Sequence, residues 1–308
     1  MGTYVSGCRA QPGGLHLGHV YGCFANIPVN SNVSFVISDV LGSQVVNKEI
    51  SLGVASDVVA ISKHMGFSVG LARESAIREL TGILAENLVR FVSFREIAEV
   101  HPPKAAVKTL GYSGSLNDFL FPIYQAAYLL ALQAETACYN DDNSRFVDLA
   151  RRLARRINAS KGTLFIQSLE LIHRTPTRLL GWDGRRMSKG NRNYLSVAAS
   201  DREILRFSQR LVGRASSGEE DFDLSPPTGI ERAYLKFFGN AGLDIQGSLP
   251  TGLNRIHLMQ RCLSDYLTAV SKHRLDESTI ADKLALDENE MRTSIRKAFL
   301  AANFSGGV

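Results

Sequence analysis

Cysteine is scarce in this sequence, and its spacing is uninformative for metal binding: Cys8, Cys23, Cys138 and Cys262 stand far apart, with no C-x-x-C pair. That suggests neither a zinc ribbon nor a disulfide framework, and a reducing, cytoplasmic setting is expected. Long apolar runs are also lacking. The most apolar stretch, Phe119 to Ala134, contains Pro122, Gln125 and two tyrosines, so it reads as a buried helix rather than a membrane span. No charged segment followed by an apolar one opens the chain, so no signal peptide is expected. Met1-Gly2-Thr3-Tyr4-Val5-Ser6 fits the loose myristoylation pattern but runs straight into a glycine-punctuated apolar stretch that reads as a buried strand. A dominant charge is missing too. Thirty-five basic against thirty acidic residues give +5, which suits a polyanionic partner without requiring one.

What remains is an ordinary globular composition, 44% apolar and 21% charged over 308 residues, long enough for one large domain and a smaller appendage. Thr3 to Gly7 reads as a strand, the Gln11-Pro12-Gly13-Gly14 turn follows, and a helix begins near His16. Val33 to Ser38 is a near-continuous β-type run, as in a strand buried on both faces of a parallel sheet, and it ends at Asp39. Ser56 to Met65, Glu74 to Phe91, Phe121 to Leu132 and Phe146 to Ile157 read as helices. This alternation predicts an α/β fold, a Rossmann-type parallel sheet with a helical insertion, over residues 1–195. Ser200-Asp201-Arg202-Glu203 is a capping box for a further helix. Arg214 to Thr228 is a Gly/Ser/Pro-rich acidic loop. Ile256, Met259, Leu263, Tyr266 and Val270 mark one helical face, and Met291, Ile295 and Phe299 another. Residues 196–308 are therefore expected to form a helical C-terminal domain.

In Pro12-Gly13-Gly14-Leu15-His16-Leu17-Gly18-His19 the glycines permit close approach of backbone to a ligand, and the helix start offers N–H groups to an anion. His16 and His19, three apart, can donate to phosphate oxygens together, and Gly18 leaves room for a flat base. Two histidines at this spacing also suit zinc, but no third ligand or nearby general-base Glu accompanies them. About 170 residues later, Gly184-Arg185-Arg186-Met187-Ser188-Lys189-Gly190 is a basic, glycine-flanked loop. It reads either as a solvated turn or as a cationic loop placed where pyrophosphate charge develops.

Together these segments resemble the HIGH and KMSKS signatures of class I aminoacyl-tRNA synthetases. Ser6-Gly7 ahead of the histidine motif, Phe121 to Leu130, Asn140-Asp141-Asp142-Asn143 and the helix around Asp148 to Arg156 are similar to segments of the tryptophanyl-tRNA synthetases, with about two extra residues around Cys8 to Ala10. The resemblance implies amino-acid activation with ATP and Mg²⁺, transfer to tRNA and a homodimer; no metal-ligand set is expected, although Asp142 and Asp39 could help position Mg²⁺ or substrate. It gives catalytic roles to His16, His19, Arg186, Ser188 and Lys189, and places ATP against Gln11, Gly14, Gly18, Asp142 and Met187. Arg186 stands where the family has lysine and Gly190 where it has serine, so reduced activation is expected.

The implied amino-acid pocket departs further. Tyr128 falls on the family's indole-pairing aspartate, Gln125 on its methionine, Phe121 on its tyrosine and Asn143 on its glutamine, with Asp39 at a nearby strand end. Loss of the buried acceptor and gain of a phenol argue against tryptophan and toward a smaller or more polar side chain. Tyr128 and Gln125 read equally as core residues with satisfied polar tips, and Asp39 and Asp142 as loop caps. Cys8 reads as packing rather than as a nucleophile. Arg151, Arg152, Arg155 and Arg156 suit either tRNA or a solvated helix face. Alternatives to tRNA charging are a synthetase-like paralogue serving a biosynthetic pathway and a non-catalytic tRNA- or nucleotide-binding regulator.

Overall fold

The computed structural model describes residues 3–41, 44–45, 47–100, 116–172, 179–213, 229–240 and 253–304. Five parallel strands form the central sheet: β1 (Tyr4–Arg9), β2 (Asn32–Ser38), β3 (Ser68–Arg73), β4 (Thr136–Cys138) and β5 (Glu170–Ile172). Their order across the sheet is β3-β2-β1-β4-β5, so the chain reverses its direction of winding at β1. A crevice beyond the carboxyl end of β1 follows from that reversal. Val40–Leu41 and Gln44–Val45 form a separate antiparallel pair.

Strand side chains alternate between two cores. Val33, Phe35 and Ile37 of β2 join one apolar cluster, while Val36 joins the other, as period-2 geometry requires of a sheet covered on both faces. The first face carries α1 (Leu17–Gly22) and α2 (Lys48–Met65); the second carries α3 (Glu74–Val89), α5 (Phe121–Ala131) and α6 (Ser144–Lys161), with α4 (Phe94–Val100) outside α5 and α6. Asn47 starts α2 by accepting from Glu49 N–H at 2.8 Å, and Gly66, at φ 77°, ends it.

The later helices are α7 (Asp201–Gly213), α8 (Gly229–Asn240), α9 (Leu253–Ser271) and α10 (Glu277–Ala301). α7, α8 and α9 add Phe207, Tyr234, Phe238 and Leu263 to the same cluster as the β2 side chains. α10 turns back onto β3, and its Met291, Ile295 and Phe299 join the apolar cluster that holds Val5 and Val36. The apolar core thus runs without interruption across residue 195. The acidic loop expected at Arg214 to Thr228 lies outside the described residues. Among the described residues, no helix is long and apolar enough to cross a membrane.

Candidate functional site

The turn after β1 is shaped by two left-handed glycines, Gly13 at φ 79° and Gly14 at φ 65°. Asp57, buried on α2, holds it from below. Its Oδ2 accepts from Leu15 N–H at 2.7 Å, and its other oxygen pairs with Arg274. A Cβ on Gly14 would lie 2.3 Å from that Oδ2, so the position is closed to other residues on two grounds. Burial raises the Asp57 carboxyl pKa, opposed by Arg274 and the Leu15 N–H.

His16 is the N-cap of α1 rather than a member of it: its Nδ1 accepts from Gly18 N–H at 3.1 Å, and His19 Nδ1 accepts from His16 N–H at 3.2 Å. The ring centroids are 3.9 Å apart. With both Nδ1 atoms accepting, each neutral ring carries its proton on Nε2, where it can be donated. Burial, then the neighbouring positive charges, push the pKa of His16 to about 2 and that of His19 to about 4, so both are neutral near pH 7.

One sequence expectation is corrected by this geometry. The N–H groups at the start of α1 are not open to an anion, because Leu17 N–H goes to Leu195 O, Gly18 N–H to His16 and Met187 Sδ, and His19 N–H to His16 O. The donors are side chains instead. Gly18 also has no bare face, since an added Cβ would meet the His16 ring at 2.9 Å and Met187 Cβ at 3.3 Å.

The basic loop folds onto this turn. Lys189 Nζ donates to Pro12 O at 2.6 Å, Gly14 O at 2.5 Å and, at 3.4 Å, Gln11 O. Burial lowers the Lys189 pKa. Arg186 pairs with Asp142 at 2.8 Å, joining the loop to the 140–143 turn. That turn also lies on α1, where Asn140 occupies the space a Gly22 side chain would need. Fully buried Asn193 organises the loop. It accepts from Ser188 N–H at 2.8 Å and donates to Asp183 at 2.6 Å and Arg186 O at 3.0 Å.

The expected amino-acid pocket adjoins through Asn143, whose Oδ1 accepts from Gln125 at 3.3 Å. Tyr128 is buried, and its hydroxyl lies 3.2 Å from that of Tyr139. Tyr139 in turn sits 3.3 Å from where a Gly7 Cβ would be, so two phenols fill the space beside β1. Desolvation raises both phenol pKa values. Phe121 packs edge-on against Phe146, with centroids 5.9 Å apart. Asp39 is taken up elsewhere, accepting from Ser75 N–H at 2.9 Å and Ser75 Oγ at 2.6 Å to cap α3. Burial raises the Cys8 thiol, leaving little thiolate. All four cysteines are free thiols.

His16, His19, Arg186, Ser188 and Lys189 are thus brought together with Gln11, Gly14, Gly18, Asp142 and Met187, whereas Asp39 serves α3. The basic face of α6 is largely tied down: Arg152 and Arg156 pair with Glu96, and Arg151 pairs with Asp148 and donates to Leu169 O. Sequence reasoning missed Asp57, Arg274, Asn193 and Tyr139. Asp57 alone left a signal, as an acidic residue inside an apolar helical run. Among the described residues, no three His, Cys, Asp or Glu side chains gather to hold a metal.

The profile of the tRNA synthetases class I (W and Y) matches residues 75–233. A tryptophan-tRNA ligase of Thermotoga maritima is 26% identical over 217 residues, which cover 65% of this chain and 63% of that relative, so the chain spans less than two thirds of the relative's length. Among solved structures, tryptophanyl-tRNA synthetase from Campylobacter jejuni complexed with ADP and tryptophan superposes with a TM-score of 0.77 at 18% identity, covering 99% of this chain and 100% of that one. The enzyme from Mycoplasma pneumoniae gives 0.76 at 14% identity, covering 99% and 97%. At such identities these structures speak for the fold alone.

Proposed function

Because the chain belongs to the tRNA synthetases class I (W and Y), we propose that it activates an amino acid with ATP and passes the aminoacyl group to tRNA. The observation that carries this reading is the meeting of two neutral, Nε2-protonated imidazoles with Arg186 and Lys189 around one glycine turn. The amino-acid carboxylate attacks the α-phosphate in line, the bond to the bridging oxygen breaks, and pyrophosphate leaves. His16 and His19 donate to phosphate oxygens without adding charge, while Lys189 and Arg186 offset the charge that builds on the leaving group. Lys189 exchanges its backbone carbonyl partners for phosphate oxygens in doing so. Mg²⁺ would ride on the triphosphate, since the donor set here is cationic and imidazole. The ADP held by the Campylobacter jejuni enzyme supports nucleotide binding on this fold. Arg186 for lysine and Gly190 for serine give slower activation.

The amino acid is smaller or more polar than tryptophan, because Tyr128 and Tyr139 occupy the base of the pocket and Gln125 and Asn143 line it with amides. That rewritten pocket also favours a second reading, in which the enzyme serves a biosynthetic pathway with tRNA or another acceptor. A purely binding role is less well supported, since the phosphate-directed side chains are intact. A homodimer and a cytoplasmic setting complete the proposal.

ATP-pyrophosphate exchange measured over proteinogenic and non-proteinogenic amino acids tests it. Exchange with at least one amino acid other than tryptophan is expected, falling by roughly 100-fold or more in Lys189→Ala. Exchange with none would sink the enzymatic reading, and exchange with tryptophan alone would sink the pocket argument. Charging of total tRNA then separates the two acceptors.

A further inference from the structure

On the other side of the Gly13-Gly14 turn lies a cleft of about 580 Å³ that none of His16, His19, Arg186 and Lys189 lines. We propose that this cleft is a second ligand site, built for one nucleoside polyphosphate, with its phosphates on Arg192, Arg206 and Arg210 and its base against Trp182 and Tyr194. The proposal goes beyond amino-acid activation and does not depend on it.

Charge is the first ground. Among the described residues two carboxylates line the cleft, and both are engaged: Asp57 holds Leu15 N–H and Arg274, and Glu203 accepts from Ser200 N–H at 2.8 Å and Ser200 Oγ at 2.7 Å. Among the described residues, no carboxylate lies within ion-pair distance of Arg192, Arg206 or Arg210. Three guanidiniums therefore face one cleft with no ion pair to a described carboxylate, Arg206 only lowering the pKa of the Glu203 carboxyl by its charge, and they form a forked donor set suited to phosphate. Arg206 and Arg210 are one helical turn apart on α7, so they project together.

Shape is the second ground. Arg210 already lies over the Trp182 ring, 5.0 Å from its centroid, and Tyr194 presents another ring next to Gly13. A purine stacks on such surfaces. Gly53 leaves part of the wall bare, with nothing within 4 Å of an added Cβ. A cleft of this volume suits one small ligand rather than a polymer strand. Backbone strain adds a third ground. Arg192 sits at φ 53°, held by its N–H to Lys189 O at 3.0 Å, a conformation costly for a residue with a side chain. It puts a guanidinium into the cleft three residues after the phosphate-directed lysine.

Trp182 is the chain's only tryptophan, so its emission reports the cleft directly. The full chain is titrated with GTP, with inorganic tripolyphosphate and with a short single-stranded RNA. Saturable quenching by GTP is expected, with half-saturation raised on the order of tenfold or more in the double variant Arg192→Gly, Arg206→Gln and unchanged in His19→Ala. Glycine suits the left-handed position and Arg206 is exposed, so that variant folds; its circular dichroism spectrum confirms it. No saturable quenching at millimolar GTP overturns the proposal, as does quenching lost in His19→Ala but kept in the double variant. Tripolyphosphate binding as tightly as GTP removes the base from the site, and RNA binding more tightly than GTP replaces the nucleotide with a strand.

Discussion

His16 and His19 differ from surface histidines in that each gives its Nδ1 lone pair to a backbone N–H, which leaves Nε2–H as the only proton each can offer. Their pKa values, about 2 and about 4, lie far below the ordinary 6.5. Protonation therefore cannot assist phosphate binding near neutrality, and KM for ATP is expected to be flat across pH about 6 to 8, measured by exchange kinetics. A break near pH 6.5 would contradict the neutral pair. Stability has the opposite sensitivity. An unfolded chain takes up protons below pH 6.5 that the folded rings refuse until about 4 or lower, so this contribution is complete above 6.5 and declines as pH falls through that window. At this scale the sequence displayed the histidines and Lys189 plainly, because their residue types carry the chemistry. Tyr139 stayed hidden, since a lone tyrosine after a short apolar run gives no sign that its hydroxyl will meet that of Tyr128.

The glycine turn and α2 act as one element, because Asp57 reaches from the helix to both Leu15 N–H and Arg274. Asp57→Ala is expected to destabilise the fold by about 2–4 kcal/mol, read from urea unfolding, since it strands a buried N–H and a partly buried guanidinium. Asp57→Asn keeps an acceptor for Leu15 and should lose less. Gly14→Ala fails differently. Its methyl would meet Asp57 Oδ2 at 2.3 Å on a left-handed backbone, so exchange activity should collapse even where the chain still folds. An unaltered melting temperature in Asp57→Ala would show the turn to be self-supporting. Long elements were legible from pattern: α3, α5 and α6 fall within a few residues of their expected bounds, as do β1 and β2. The strands β4 and β5 are three residues each, too short to show alternation, and Gly70 interrupts β3. The start of α2 was missed because Gly53 breaks its pattern before Ser56.

The whole molecule is closed by its last helix. β3 is an edge strand, and an edge leaves N–H groups unpaired. Here α10 supplies the missing acceptors with side chains: Asp287 Oδ2 takes Leu71 N–H at 2.9 Å, and Glu288 Oε1 takes Arg73 N–H at 3.1 Å. Glu288 also binds the Arg73 guanidinium through both oxygens, at 2.7 and 2.9 Å, while Lys283 reaches Val69 O at 3.2 Å and Asp287 at 2.7 Å. Two carboxylates thus do for β3 what a neighbouring strand would do. The sequence showed α10 only as an amphipathic helix following the others, hence its expected place in a C-terminal unit; nothing local to it says that Asp287 and Glu288 face a strand over 200 residues earlier. The double variant Asp287→Ala, Glu288→Ala is expected to lose about 3–5 kcal/mol, since a buried and a half-buried donor and two ion pairs go unmet together. A chain ending before Glu277 should do worse, exposing the edge as well as the Met291, Ile295 and Phe299 contacts, and should sediment as an aggregate rather than as a defined species. Should that shortened chain fold with normal stability in urea, α10 would be an accessory to the central sheet rather than one of its parts.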